Sequence, residues 1–245
     1  MNLILAAHGT RRPGGVAMIG DLAAQVSRQL GHPVRVAFVD VLGPTPSEVL
    51  SAVGGHQAVV VPAFLSRGYH VRADVPAHVA ASGHPNVIVT PALGPGGEIA
   101  RIVADQLMKS GWRPGDSVIL GAAGTSDPIA RADLHTTATL LSALTGSRVT
   151  LGFAATGDPQ IIEAVQRVRA DGARRVAIAS YLLADGLFQE KLRNCGADLV
   201  SRPLGTHPRL ARLIANRFRR AVPVATRHPV RRHRPGAPTH AMLDL

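Results

Sequence analysis

Two histidines stand out by what surrounds them. His8 follows the apolar run Leu3-Ile4-Leu5-Ala6-Ala7 and precedes Gly9-Thr10. His70 sits in Ser66-Arg67-Gly68-Tyr69-His70-Val71-Arg72-Ala73-Asp74, shortly after the valine run Val59-Val60-Val61. Each follows a predicted strand, and in open parallel α/β sheets ligands bind beyond the carboxyl ends of the strands. Two imidazoles converging there can share one divalent ion, since neutral imidazole suits Fe²⁺, Co²⁺ and Zn²⁺. Imidazole can also accept a proton. Arg11, Arg12, Arg67 and Arg72 flank the two histidines and offer planar forks for carboxylates. Tyr69 offers an aromatic wall. Asp74 reads as the N-cap of a helix whose early turn holds Pro76, or as a local ion partner of Arg72.

The elements that must position these groups alternate along the chain. Short β-branched runs at 2–7, 34–39, 57–63 and 86–90 predict strands; the segments 16–30, 46–54, 75–82 and 98–110 between them predict helices. The order then recurs, with strands at 117–122, 148–153, 174–180 and 198–201 and helices at 128–144, 159–170, 186–194 and 208–220. Such alternation predicts parallel sheets covered by helices.

The recurrence is an internal repeat. Ile4-Leu5-Ala6-Ala7-His8-Gly9-Thr10 matches Ile119-Leu120-Gly121-Ala122-Ala123-Gly124-Thr125, and Phe64-Leu65-Ser66-Arg67-Gly68 matches Leu182-Leu183-Ala184-Asp185-Gly186. Leu93-Gly94 returns as Leu204-Gly205. The chain therefore divides into lobes 1–112 and 113–221, followed by a Pro-, Arg- and His-rich tail, 222–245, expected to be disordered. The repeat is also a control. His8 becomes Ala123 and His70 becomes Phe188, while Gly9-Thr10 and Gly68 persist as Gly124-Thr125 and Gly186. The first lobe is expected to do the chemistry and the second to shape the cleft. His32, His56, His78, His84, His135 and His207 read as turn or surface residues, and the tail's His228, His233 and His240 at most as loose metal ligands.

Composition narrows the classes. Aromatic residues make up 3% of the chain, too few for stacking platforms that hold single-stranded nucleic acid. The net charge of +11 favours acidic partners, polycarboxylates among them; the basic residues are scattered, without a recognition-helix cluster, so no nucleic-acid partner is expected. The single cysteine, Cys195, excludes an internal disulfide and a cysteine-rich zinc site. With no signal-peptide pattern and no long apolar run, a cytoplasmic protein without a membrane partner is expected. No Gly-x-Gly-x-x-Gly follows a strand, no phosphate loop ends in Gly-Lys-Ser/Thr, and no Gly-x-Ser-x-Gly elbow occurs. Ala7 replaces the arginine that precedes His-Gly in histidine phosphatases, which removes their phosphate clamp.

These strings carry a family resemblance. Leu5-Ala6-Ala7-His8-Gly9-Thr10-Arg11 resembles the opening of the sirohydrochlorin chelatase family, and Pro62-Ala63-Phe64-Leu65, Gly68-Tyr69-His70 and Asp74-Val75-Pro76 resemble its second signature. The likeness extends over roughly residues 1–220. It implies a chelatase-like α/β fold: two similar lobes, each a four-stranded, mostly parallel sheet flanked by helices, with a cleft between them. It implies ATP-independent insertion of Fe²⁺ or Co²⁺ into sirohydrochlorin, on the path to sirohaem or cobalamin, by a lyase-class enzyme whose active-site histidines are His8 and His70. The metal is then a substrate, and no permanently bound cofactor is implied. The substrate's carboxylates would meet Arg11, Arg12, Arg67 and Arg72 beside Tyr69. A chain holding both lobes needs no second copy to complete its cleft, which favours a monomer. Two alternatives stand beside this: a non-catalytic carrier of metal or tetrapyrrole on the same fold and, from the charge, a nucleic-acid binder.

Overall fold

Unbroken apolar runs such as Ala58-Val59-Val60-Val61 suit strands covered on both faces, and parallel strands need long crossovers that helices provide. The structure, a computed structural model, describes residues 1–221. The expected tail and its histidines lie outside the described residues. Strands β1 (Asn2–Ala7), β2 (Val34–Phe38), β3 (Ala58–Pro62) and β4 (Val87–Val89) form one sheet in the order β2-β1-β3-β4. Strands β5 (Ser117–Ala122), β6 (Val149–Phe153), β7 (Val176–Tyr181) and β8 (Leu199–Val200) form a second in the order β6-β5-β7-β8. Every strand pair is parallel, with Leu5 beside Val36 and Val61, and Leu120 beside Leu151 and Ala179.

The crossovers are α1 (Pro13–Leu30), α2 (Pro46–Ala52), α3 (Val75–Ala81) and α4 (Gly97–Lys109), then α5 (Pro128–Thr145), α6 (Ile161–Ala170), α7 (Leu187–Arg193) and α8 (Pro208–Ala221). The repeat reaches into the capping. Both α1 and α5 begin with proline, which suits the first helical position, and end on a left-handed glycine, Gly31 and Gly146, each at φ 67°. Ser27 and Ser142 each accept the first N–H of the following edge strand, Val34 and Val149, at 2.9 Å.

The two repeats interlock. Helix α4 packs against α5 and β7, in the second half of the sequence, while α8 packs against α1 and β3, in the first. The final helix of each repeat therefore covers the other repeat's sheet, a swap that sequence order does not reveal. One central core joins the inner faces of both sheets through α1, α4, α5 and α8, with Leu22, Ile99, Leu107, Leu141 and Ile214 fully buried. Smaller apolar clusters place α2 and α3 on the outer face of the first sheet and α6 and α7 on that of the second. Among the described residues no helix is long and apolar enough to cross a membrane.

The element before α3 departs from expectation. His70–Asp74 forms a π-helical turn leading directly into α3, where the sequence predicts a loop. Val71 and Arg72 both donate N–H to the carbonyl of Gly68, at 3.1 and 3.2 Å, and start the turn. Single π turns commonly occur at functional positions.

Candidate active site

β1 and β3 are neighbours, and each delivers one imidazole to the carboxyl edge of the sheet. Beyond β1 the chain turns at Gly9, φ 99°, where a Cβ would lie 2.3 Å from the carbonyl oxygen of Asp40. Only glycine fits that left-handed position so close to another backbone. Asp40 N–H donates to the carbonyl of His8 at 3.0 Å, fixing the backbone that bears the ring. Beyond β3, Ala63 N–H donates to Ala6 at 2.7 Å and Leu93 N–H to Phe64 at 2.9 Å, so the segment leading to His70 leaves along a defined path.

The two rings meet. Their centroids lie 4.4 Å apart, tilted by 42°. A ligating ring nitrogen sits about 2.0–2.1 Å from a zinc-like ion, which places its ring centroid about 3.2 Å away. The observed separation is short enough for one ion to touch a nitrogen of each ring. Phe64 stacks near His70, centroids 5.8 Å apart, and Tyr69 meets it edge-on at 6.2 Å. His70 Nδ1 lies 2.5 Å from Asp74 Oδ2. This overturns the N-cap reading of Asp74. Asp74 already has helical dihedrals and its side chain caps nothing, because the π turn carries the helical path back to His70. Nor does Arg72 pair with Asp74.

A cleft of about 610 Å³ opens between the lobes in front of these rings. His8, Thr10, Arg11, Arg12 and His70 line one side, and Ala123, Leu182, Leu187 and Phe188 the other. The repeat's substitutions thus face each other across one cavity, with imidazoles opposite apolar groups. Among the described residues no group of three or more His, Cys, Asp or Glu side chains is placed to hold a metal.

The arginines divide. Arg11 and Arg12 line the cleft; Arg67, Tyr69 and Arg72 do not. Tyr69 is 65% exposed. Three of the four guanidinium groups are engaged by carboxylates of the second lobe. Arg12 forms a fork with Glu190, Arg67 with Asp133, and Arg72 reaches Asp127. Of the four arginines expected to meet substrate, only Arg11 makes no ion pair among the described residues. The positions are related by the repeat. Arg12 and Asp127 are equivalent residues at the N-caps of α1 and α5, and Arg72 and Glu190 are equivalent residues four beyond Gly68 and Gly186. The two pairs are therefore the same contact with its charges reversed. The hydrogen bond and charge of Arg72 hold the Asp127 carboxyl below the usual range, and Arg12 does the same to Glu190.

Sequence reasoning gave Asp74 a different role and missed Asp133, Asp127 and Glu190. The i,i+4 spacing of His70 and Asp74 and the charge reversal between equivalent positions were the available signals. His207 also departs from expectation. It is buried, with Nε2 2.6 Å from Asp105 Oδ2 on α4 and Nδ1 accepting the N–H of Arg209, so it pins α4 to the start of α8. His78, half-buried, bridges Ser47 and the carbonyl of Val39.

The chain is similar to known proteins. A family model described as CbiX matches residues 2–110 and 117–221. The chain is 28% identical over 130 residues to a sirohydrochlorin cobaltochelatase of Methanothermobacter thermautotrophicus, covering 44% of this chain and 90% of that protein. It is 27% identical over 210 residues to a sirohydrochlorin cobaltochelatase of Priestia megaterium, covering 78% and 67%. A structure of SirB from Bacillus subtilis with Fe³⁺ superposes with a TM-score of 0.77 at 22% identity, over 90% of this chain and 96% of that one, a likeness of fold.

Proposed function

The chain belongs to the CbiX family, and from that premise we propose that it inserts Fe²⁺ or Co²⁺ into sirohydrochlorin at His8 and His70. The observation that carries this is the pair of imidazoles 4.4 Å apart on a cleft whose far side carries Ala123, Leu182, Leu187 and Phe188. A tetrapyrrole is a flat apolar ring with a charged rim. Its face suits Leu187 and Phe188, its ring nitrogens then look toward the histidines, and its carboxylates reach the rim.

Insertion exchanges one M²⁺ for two ring N–H protons. Asp74 accepts from Nδ1 of His70, which leaves Nε2 with its lone pair for the ion or for a proton. His8 supplies the second lone pair. Two ligands hold an ion less firmly than a closed four-ligand site, which suits a metal that must leave with the product. The metal is a substrate of this lyase-class chelatase, and the chemistry uses no nucleotide. Arg11 is free to meet a substrate carboxylate, and Arg12 can do so by exchanging Glu190 for it. One chain supplies both walls, which supports action as a monomer. Imidazole takes iron and cobalt alike, so both ions fit this pair of ligands.

The test is turnover. Sirohydrochlorin absorbance in the presence of Co²⁺, and separately of Fe²⁺ under anaerobic conditions, should shift faster with the protein than without it. His8→Ala and His70→Ala should each slow the shift by at least about a hundredfold (about 2.7 kcal/mol). Metal or tetrapyrrole binding without acceleration would instead mark a carrier.

A further inference from the structure

The second lobe has lost both imidazoles, yet it grips the segment that carries one of them. Residues 64–72 run from the end of β3 into the π turn, and side chains of the second lobe hold them at three points. Tyr181, at the end of β7 and 4% exposed, donates its hydroxyl to the carbonyl of Leu65 at 2.7 Å and accepts from Thr137 at 3.2 Å. Asp133 on α5, 1% exposed, accepts the backbone N–H of Arg67 at 2.7 Å and its guanidinium through Nη2 at 2.5 Å and Nε at 3.1 Å. Asp127 takes the guanidinium of Arg72.

The repeat shows that the inner grip is one-sided. The first-lobe equivalents of Asp133, Thr137 and Tyr181 are Met18, Leu22 and Ala63. In the second lobe the carbonyl equivalent to Leu65, that of Leu183, accepts a backbone N–H from Gly205 of its own lobe at 2.7 Å. The polar groups therefore stand only where they reach the His70 segment. A surface pair would suffice to glue two lobes together. A buried carboxylate that takes a backbone N–H three residues before His70 fixes that backbone as well.

We propose that Asp133 is a positioning residue for His70, with Tyr181 as its second anchor, and that the degenerate lobe is a working part of the site through this grip. The inference rests on the reading of His70 given above. Displacement of a reacting group by about 1 Å can cost up to a hundredfold in rate, and ligating groups need placement within about 0.5 Å.

Asp133→Asn and Tyr181→Phe, made in the full chain, test it. Tyr181→Phe removes one hydroxyl and keeps the ring, so it carries the test even if Asp133→Asn does not fold. Each folded variant should lose about tenfold or more in kcat, with KM for sirohydrochlorin within about threefold of the parent. Co²⁺ affinity, titrated without tetrapyrrole, should fall together with kcat. Asp133→Glu, which keeps an acceptor, should recover part of both. Folded variants that keep kcat and Co²⁺ affinity within twofold while only their melting temperature drops would overturn the proposal and reduce the grip to glue between lobes. His70→Ala measured alongside separates the two claims. If it is fully active, the reading of His70 fails; if it is inactive while Asp133→Asn and Tyr181→Phe are fully active, only the grip fails.

Discussion

Replacing Asp74 by alanine removes the carboxylate that holds Nδ1 of His70 at 2.5 Å. Two consequences follow from that single contact. The ring loses its fixed tautomer, so Nε2 no longer always presents a lone pair toward His8, and it loses the hydrogen bond that sets its rotation. Hydrogen bonds to charged groups contribute about 1.5–3 kcal/mol. The His70 and Asp74 side chains are 34% and 27% exposed, so water replaces part of the loss and the lower end applies. About 1.5 kcal/mol is roughly a tenfold loss in Co²⁺ affinity, the bottom of the range for removing the partner of a ligating histidine. The assay is Co²⁺ titration of the tetrapyrrole-free protein beside steady-state insertion. Asp74→Asn should stay within about threefold of the parent, because an amide oxygen can still accept from Nδ1. The reasoning is refuted if Asp74→Ala binds Co²⁺ and turns over within twofold of the parent. It is equally refuted if Asp74→Asn is as impaired as Asp74→Ala.

The remaining expectations concern substrate, fold and pH. Arg11→Ala should raise KM for sirohydrochlorin about five- to tenfold with kcat nearly unchanged, and the difference should shrink as salt is added, because a rim charge acts through screened attraction. Gly124→Ala forces a side chain onto φ 110° with its Cβ 1.9 Å from the carbonyl oxygen of Thr156; it should cost more than about 2 kcal/mol, read as a fall in melting temperature of at least about 4 °C or as loss of soluble protein. Ile214→Ala, on the swapped helix α8 and fully buried, should cost about 2–5 kcal/mol in urea unfolding; a loss below about 1 kcal/mol would contradict the packing of α8 in the shared core. The carboxyls of Asp127 and Glu190 are held below their usual range by Arg72 and Arg12. Their contribution is therefore complete above the ordinary carboxylate pKa of about 4 and is lost as pH falls through the lowered values. Chemical denaturation should show a decline in stability below about pH 4 that is shallower in the Asp127→Asn, Glu190→Gln double variant than in the parent.

Much of the fold was legible because its signals are local. The valine run of β3, buried throughout, reads directly as a parallel strand, and α5 begins at Pro128 as expected, whereas α1 begins at Pro13, three residues before the expected start at 16. The asymmetry between His8 and Ala123, and between His70 and Phe188, singled out the histidines because an internal repeat supplies its own comparison. What was not legible depends on contacts between distant segments. Nothing in the periodicity of α4 or α8 says whose sheet it covers. The π turn is closed by Val75 N–H on the carbonyl of His70, five residues back, a detail below the resolution of pattern. Arg67 reads as a free cation until α5 brings Asp133 to it from 66 positions away. Asp74 shows the same limit at short range: proline two residues on suggests a cap, and only the turn geometry swings its carboxylate to His70.

His8 and His70 are expected to bind one metal ion between them. Crystals soaked in Co²⁺ and measured at the cobalt absorption edge should show one dominant anomalous peak within about 2.0–2.3 Å of a ring nitrogen of both His8 and His70, facing the cleft. A peak at either imidazole alone, or the strongest peak elsewhere on the molecule with this pair left empty, would contradict it.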